Sequence, residues 1–392
     1  MAADPHNVVR LILPRPVPGR PGEEYRDAAV LLRQWLAEEI LVTDHEPALY
    51  LYEQAVLGDE THPGPGSVQR GLIGCVRLVP PDAGIVLPHE NVSPGPVAGR
   101  LALMEATEAN LEPIFLLYDG KGGPIATIVT ETAELAPLLE ARTPDGQRHR
   151  LWAITDPAEL AVIAADLAPH QALIADGHHR YAAYLLLQER QHQAGAGAGP
   201  WDYGLALLVD SSSYPPHIGA IHRVIPALEV EQAAKLAAAA FLVRTVPGGS
   251  SDIPAALAEL AAASAAGPAF VLAGEERAYL LTDPDPRQAD AAMPAGCSPQ
   301  WRALPAAILQ QLLISKLWQL TDDNRTIKVV HHDGQAAVRD AQAVDGTAVL
   351  CSPMSPTEVY AVAARGEKVP RKSTSFAPKP RPGVVLRTFA EG

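Results

Sequence analysis

Apolar and polar positions along this chain switch between a two-residue and a 3.6-residue period, and the switches mark its elements. Val8 to Leu13 reads as a strand, closed by Pro14, Pro16 and Pro18. Glu24 to Glu39 follows as an amphipathic helix, with Ala28, Leu31, Leu32, Trp35, Leu36 and Ile40 on one stripe. Ala48–Glu53 and Leu72–Val79 read as two strands of a long hairpin around a Pro/Gly-rich turn region, Asp59 to Ser67. Ile85–Glu90 is a short extended run and Val97–Asn110 a helix. Ile114–Tyr118 is a strand, Ile125–Thr130 reads as a continuation of the sheet, and Arg148–Ile154 is another strand. Asp156-Pro157 caps and opens a helix reaching Asp166.

The next stretch organises the rest. The apolar run Ala172–Ala175 ends at Asp176-Gly177, then His178-His179-Arg180 leads into a helical run from Tyr181 to Gln188. A strand, a tight turn and a helix start therefore carry five consecutive polar or special residues. The first N–H groups of a helix point outward and attract anions, phosphate in particular. Beyond the flexible Ala194–Pro200 loop, Tyr203–Asp210 and Ile218–Val224 are strands. From Glu229 the chain turns Ala-rich, with helices expected at 230–240, 254–264 and 304–318 and short strands near 269–272 and 278–282. Ile327–His332 and Gly346–Cys351 read as strands, and Gly334–Ala343 and Ser355–Ala364 as helices.

This pattern predicts an α/β (α+β) protein with mixed sheets and two parts. Residues 1–228 form a mixed α/β domain, and 229–392 a helix-richer α/β region with a basic tail. At 392 residues the chain has ample length for two cores, and 47% hydrophobic with 19% charged residues is a globular composition. A net charge of −14 argues against nucleic acid as a partner, since that needs a basic face. The first residues lack the basic and apolar regions of a secretory signal, and no apolar run is long enough for a membrane span. A cytoplasmic location is expected, with no membrane partner and an open oligomeric state. Cys75, Cys297 and Cys351 are far apart and unpaired in spacing, so they are expected as small buried residues rather than a disulfide or zinc framework.

Four clusters carry candidate chemistry. Asp176-Gly177-His178-His179-Arg180 is either an anion or metal site or a capped turn with exposed histidines; five such residues are costly to bury unless paired. Asp176 could hold a metal ion or fix a histidine tautomer. Pro88-His89-Glu90, at a strand end, suits general-base work or magnesium binding, and can equally be an ordinary turn. His222-Arg223 is a second histidine–cation pair, with a satisfied core histidine as the alternative. Lys368 and Arg371-Lys372-Ser373-Thr374-Ser375 could grip phosphate or form a solvated basic run. His331-His332-Asp333-Gly334 reads as a strand ending in a turn. The phosphate loop G-x-x-x-x-G-K-[ST], the G-x-G-x-x-G fingerprint after the first strand, H-E-x-x-H and G-x-S-x-G are all missing from the sequence.

Taken jointly and in order, several stretches resemble one family, the domain of unknown function 1015 family of bacteria and archaea. They are Val86-Leu-Pro-His-Glu90, Arg100-Leu, Ala106-Thr-Glu-Ala-Asn110-Leu, Pro113-Ile-Phe-Leu-Leu-Tyr118, Ile174-Ala-Asp-Gly-His-His-Arg-Tyr181, His222-Arg223 and Pro370-Arg-Lys-Ser-Thr-Ser-Phe-Ala-Pro-Lys379. The chain departs from the pattern in lacking a Pro-Pro-Tyr-Asp stretch ahead of Asn7, and in carrying Arg371 where Gln is common. The Asp-Gly-His-His-Arg and Pro-His-Glu motifs are more remotely similar to the ParB/sulfiredoxin-like superfamily, including free serine kinases. That resemblance implies phosphotransfer from ATP or ADP with magnesium (Mg2+) to a small hydroxylated metabolite such as serine. It implies Glu90, Asp176, His178 and His179 as catalytic residues, with Asp176 the metal ligand. Phosphate and substrate would be held by His89, Gly177, Arg180, His222, Arg223, Lys372, Ser373 and Thr374. A phosphatase or nucleotide hydrolase, or a non-catalytic nucleotide-binding regulator, are the alternatives.

Overall fold

The computed structural model describes residues 4–56, 68–323 and 325–389. The expected turn region at Asp59–Ser67 lies outside the described residues. The chain divides into two compact units, one of residues 1–216 and 378–392 and the other of His217–Ala377. The sequence reading set a single boundary at 228. The observed division falls earlier, and the last residues rejoin the first unit.

In unit 1, α1 (Val9–Ile12) and α2 (Glu23–Ala37) precede the hairpin β1 (Leu49–Val56) and β2 (Val68–Arg77). Next come β3 (Val86–Leu87), α3 (Pro94–Thr107), β4 (Ala109–Asn110), β5 (Ile114–Tyr118), α4 (Pro124–Glu134), β6 (Leu139–Arg142) and β7 (Gln147–Ile154). The unit continues with α5 (Pro157–Leu167), β8 (Ala172–Asp176), α6 (His178–Gln193) and β9 (Tyr203–Asp210). Eight of these strands form one mixed sheet in the order β3-β8-β5-β9-β2-β1-β7-β6. Pairing is parallel at β3–β8 and β5–β9 and antiparallel elsewhere.

Side-chain alternation decides which helices sit where. Ile114, Leu116, Ile174 and Ala206 pack under α3 and α6 with Leu101, Met104, Tyr181 and Leu187. Leu51, Leu72 and Trp152 pack under α4 and α5 with Ile125, Val129 and Ile163. Leu208 touches both groups. Three more residues of this core are worth roughly 1.5–3 kcal/mol each if fully buried: Leu11, Leu32 and Trp35, which join α1 and α2 to Leu103 of α3.

Two expected strands are helices. Val8–Leu13 was expected to be extended, yet Val9–Ile12 forms a helical turn. The Asn7 side chain accepts the Val9 N–H at 3.0 Å, and Leu11 and Ile12 are both buried, which a two-residue period cannot arrange on one face. Ile125–Thr130 was expected to continue the sheet, but α4 runs through it. Pro124 sits at the helix start after a glycine pair, and Ile125, Val129 and Thr132 are buried at helical spacing. The β-branched run misleads because propensity yields to tertiary contact.

Unit 2 contains β10 (His217–Ile218), β11 (Ile221–Ile225), α7 (Val230–Ala237), β12 (Leu242–Thr245), α8 (Ile253–Ser264), β13 (Phe270–Ala273) and β14 (Ala278–Thr282). It continues with α9 (Pro286–Ala292), α10 (Pro299–Arg302) and α11 (Pro305–Ala307), the last running into a π-helical stretch at Ile308–Leu317. It ends with β15 (Lys328–His331), α12 (Gly334–Gln342), β16 (Thr347–Cys351), α13 (Pro356–Ala363) and β17 (Phe376–Ala377). Six strands form an antiparallel sheet in the order β12-β14-β13-β16-β11-β15 over a core that includes Val224, Leu260, Val271, Leu280 and Leu350. Mixed α/β architecture is thus as the sequence indicates. No helix among the described residues is long and apolar enough to cross a membrane.

Candidate functional site

The turn between β8 and α6 forms because Gly177 takes φ +98°, a left-handed conformation that glycine adopts without a Cβ penalty. A Cβ there would lie 3.0 Å from Ile114 Cγ2 and 3.2 Å from the Arg180 guanidinium. The helix begins at His178, three residues before its expected start, and has no acidic residue in its first turn. Its positive end is therefore not met by a carboxylate of its own.

Two histidines are held by backbone donors from the segment after β3. The His89 N–H donates to His178 Nε2 at 3.2 Å, and the Ser93 N–H donates to His179 Nε2 at 3.0 Å. A ring nitrogen that accepts cannot carry a proton, so both neutral rings carry theirs on Nδ1. His178 Nδ1 faces Glu90 Oε2 at 3.8 Å, and His89 Nε2 lies 4.0 Å from Glu90 Oε1. The His89 and His178 rings meet edge to face with centroids 4.5 Å apart. Both histidines are buried, whereas the Glu90 side chain is 36% exposed and can meet a ligand from solvent.

Asp176 does not orient either histidine. Its Oδ2 accepts from Arg180 Nη2 at 2.7 Å, and its Oδ1 is paired with Lys379 Nζ. Both oxygens are held by cations, so Asp176 is paired with Arg180 and Lys379 where a magnesium ion was expected. Among the described residues no group of three His, Cys, Asp or Glu side chains is placed to hold a metal. Arg180 also donates to the Pro113 carbonyl and lies 3.7 Å from Glu112 Oε1, which itself pairs with Arg100 at 3.3 Å.

Glu112 and Lys379 are the residues sequence reasoning missed here. Glu112 had a signal: a carboxylate just before Pro113 and a fully buried strand. Lys379 was visible only as the end of the Pro370–Lys379 stretch of the basic tail, with no role attached. The backbone on either side of it is pinned, because the Pro378 carbonyl accepts from Gln69 at 3.1 Å and the Arg381 N–H donates to Tyr52 Oη at 3.3 Å.

His222, Arg223, Lys372, Ser373 and Thr374 belong to unit 2. The expected phosphate-neutralising role of Arg223 meets a guanidinium already used. It is buried and donates to the carbonyls of Ile221, Arg371 and Lys372 at 3.2, 3.1 and 3.0 Å. Its Nε lies 4.0 Å from the buried Asp322, which also pairs with Arg371 at 3.4 Å. Arg223 is thus a clamp on the 370–373 loop. His222 is buried and its Nδ1 accepts the Cys351 N–H at 3.2 Å; burial drops its pKa from 6.5 to about 4. Ser373 is buried and its hydroxyl donates to the Pro370 carbonyl at 2.6 Å, while Lys372 is exposed at φ +55° and Thr374 lies half-buried on the same loop. β15 ends at His331, His332 follows at φ +65°, and Asp333 caps α12, so the strand runs into a turn as the sequence suggested. Of the cysteines only Cys351 is buried; Cys75 is exposed and Cys297 intermediate, because β2 turns Cys75 outward near its end.

A family model described as "Protein of unknown function (DUF1015)" matches residues 1–307, and the chain belongs to that family. No curated protein matches it. Among solved structures, a free serine kinase in complex with AMP is similar at 14% identity, covering 78% of this chain and 87% of that one, with a TM-score of 0.37. A conserved hypothetical protein from Pyrococcus furiosus is similar at 14% identity over 78% and 90%, with a TM-score of 0.35. C-terminally truncated SbnI from Staphylococcus aureus is similar at 13% identity over 78% and 82%, with a TM-score of 0.38.

Proposed function

We propose that unit 1 is a phosphotransferase site. It would take a nucleotide phosphate at the start of α6 and pass a phosphoryl group to a small hydroxylated metabolite, in the manner of a free serine kinase with a ParB/sulfiredoxin-like core. The observation that carries the reading is the pairing of Glu90 with His178 at an uncapped helix start. The helix N–H groups and the Nδ1–H groups of His178 and His179 supply donors for phosphate oxygens. Arg180 and Lys379 add positive charge beside them. Glu90, partly exposed, would take the acceptor hydroxyl proton as the new O–P bond forms and the bond to the nucleotide phosphate breaks. Magnesium would come with the nucleotide, whose phosphate oxygens commonly supply ligands beside one or two carboxylates. The proposed donor is ATP or ADP; a free serine kinase similar to this chain was solved in complex with AMP.

The exposure of Glu90 favours hydrolysis as a second reading, with water as acceptor. A third reading, nucleotide binding without turnover, keeps the phosphate contacts and needs no base. Incubation with ATP or ADP and magnesium, with and without amino-acid acceptors, tests all three. Acceptor-dependent loss of nucleotide supports transfer; phosphate release without acceptor supports hydrolysis; unchanged nucleotide in both arms sinks both enzymatic readings.

A further inference from the structure

A second cavity lies in unit 1, at the other end of β5 from the Gly177 turn. Asp176 faces Phe115 across the β5–β8 ladder, whereas Tyr118 at the far end faces Ala172. Three residues of strand separate the two ends, roughly 10 Å. The cavity, partly open to solvent, has a volume of about 120 Å³. Leu72, Leu208, Ile125 and Val129 give it apolar walls, and Arg70 and Asp210 stand at its polar end.

The sheet opens this space. Pairing of β2 with β9 runs from Arg77↔Tyr203 to Leu72↔Leu208 and stops. Two residues further on, the same register would set Arg70 opposite Asp210 on one face. Instead each has other partners. Arg70 Nε donates to Glu53 Oε2 at 2.9 Å, and its guanidinium also meets Tyr214. Glu53 is almost fully buried and already pairs with Arg150 at 2.7 Å and Arg148 at 3.4 Å. One carboxylate thus faces three guanidinium groups, so Arg70 shares its counter-ion with Arg148 and Arg150.

Asp210 is unevenly satisfied. Its Oδ1 accepts from the Gly120 N–H, the Ser212 N–H and the Ser212 hydroxyl at 2.8, 3.0 and 2.7 Å. Its Oδ2 accepts from the Ser213 hydroxyl at 2.6 Å. A carboxylate oxygen has two lone-pair positions, so Oδ2 keeps capacity for a further donor. Burial raises the cost of charging Asp210, yet the serine and backbone donors hold its pKa below the ordinary range. The group is ionised at neutral pH.

We propose that this cavity binds a small zwitterion of amino-acid size, with its carboxylate on Arg70, its ammonium on Asp210 Oδ2 and its side chain against Ile125, Val129 and Leu72. Separated charges of opposite sign at a half-buried apolar wall match a ligand that carries both, and a ligand with one charge would leave the other partner unmatched.

Isothermal titration of the full chain with alanine, propionate and ethylamine tests this. Alanine has no hydroxyl to phosphorylate, and Ala126→Leu separates binding in this cavity from binding at the start of α6. Saturable alanine binding is expected, with propionate and ethylamine weaker by roughly tenfold or more. Ala126→Leu, at a half-buried position on α4, fills the cavity and abolishes binding while the far-ultraviolet spectrum stays that of the wild type. Tyr214→Phe, which leaves the fold's core intact, weakens binding by loosening Arg70. Absence of saturable alanine binding to the folded wild type overturns the proposal. So does binding that survives Ala126→Leu, or propionate binding as tightly as alanine.

Discussion

At the residue scale, the account turns on which proton each histidine carries. His89 and Ser93 give their backbone N–H groups to His178 and His179, which leaves Nδ1–H on each ring to face a ligand or Glu90. Glu90→Gln keeps the shape but cannot accept a proton, so kcat for transfer should fall about 10²–10⁴-fold with little change in nucleotide affinity. An unchanged kcat would remove Glu90 from the chemistry. His222 gives a separate test in unit 2. Its pKa falls to about 4 in the folded chain from the ordinary 6.5, with burial as the main cause, Asp333 opposing, and His332 and Arg223 adding to the drop. The unfolded chain therefore binds a proton between those values that the folded chain refuses. Stability is full above pH 6.5 and is lost as pH falls toward 4, by up to roughly 3 kcal/mol. His222→Gln should flatten that slope in urea titrations at pH 7 and 4.5. The individual roles of Asp176 and Arg223 were not legible in the sequence. Each is set by partners far along the chain: Lys379 for Asp176, and the carbonyls of Arg371 and Lys372 for Arg223.

At the element scale, the β8–turn–α6 unit was readable because its signals are local. An apolar run, an Asp-Gly step and a helical repeat follow within a few residues. The glycine is required by its φ of +98° and by Ile114 beside it. Gly177→Ala should cost about 1–2 kcal/mol from the left-handed conformation alone and displace the α6 start. Thermal melting checks the first effect, and weakened nucleotide binding the second; a variant as stable as the wild type would mean that the turn relaxes freely. The hairpin, α2, α5 and the unit 2 strands β11, β13, β14, β15 and β16 were readable for the same local reasons, whereas β12 was not read. In α1 and α4, β-branched residues signal strand, while the burial that makes them helices comes from α2, α3 and the sheet. The edge strand β6, exposed throughout, left no apolar pattern to read.

At the scale of the whole molecule, the chain makes two cores and then returns to the first. Residues 378–389 lie along unit 1, where Leu386 packs with Leu11 and Trp35, Phe389 packs beside Leu187, and the Phe389 N–H donates to the Glu108 carbonyl at 2.7 Å. Composition shifts along the sequence do not reveal such a return, so the tail read either as a phosphate grip or as a solvated basic run. Ending the chain at Ala377 should destabilise unit 1 by roughly 2–4 kcal/mol, from lost Leu and Phe burial, and leave unit 2 nearly unchanged. Limited proteolysis of the two forms, with fragments mapped to each unit, reads this out; equal protection of unit 1 would show that the strap is dispensable. The same truncation removes Lys379 from Asp176, and nucleotide affinity should drop with it.

The most direct test of the central claim is phosphoryl transfer itself. The full chain is mixed with ATP or ADP, magnesium and serine, and phosphorylated product is followed for the wild type, Glu90→Gln and His178→Gln. Product that depends on both the acceptor and the nucleotide, and that is lost in both variants, is the predicted result. No product from the wild type with any hydroxylated acceptor, or product formed equally by both variants, would contradict it.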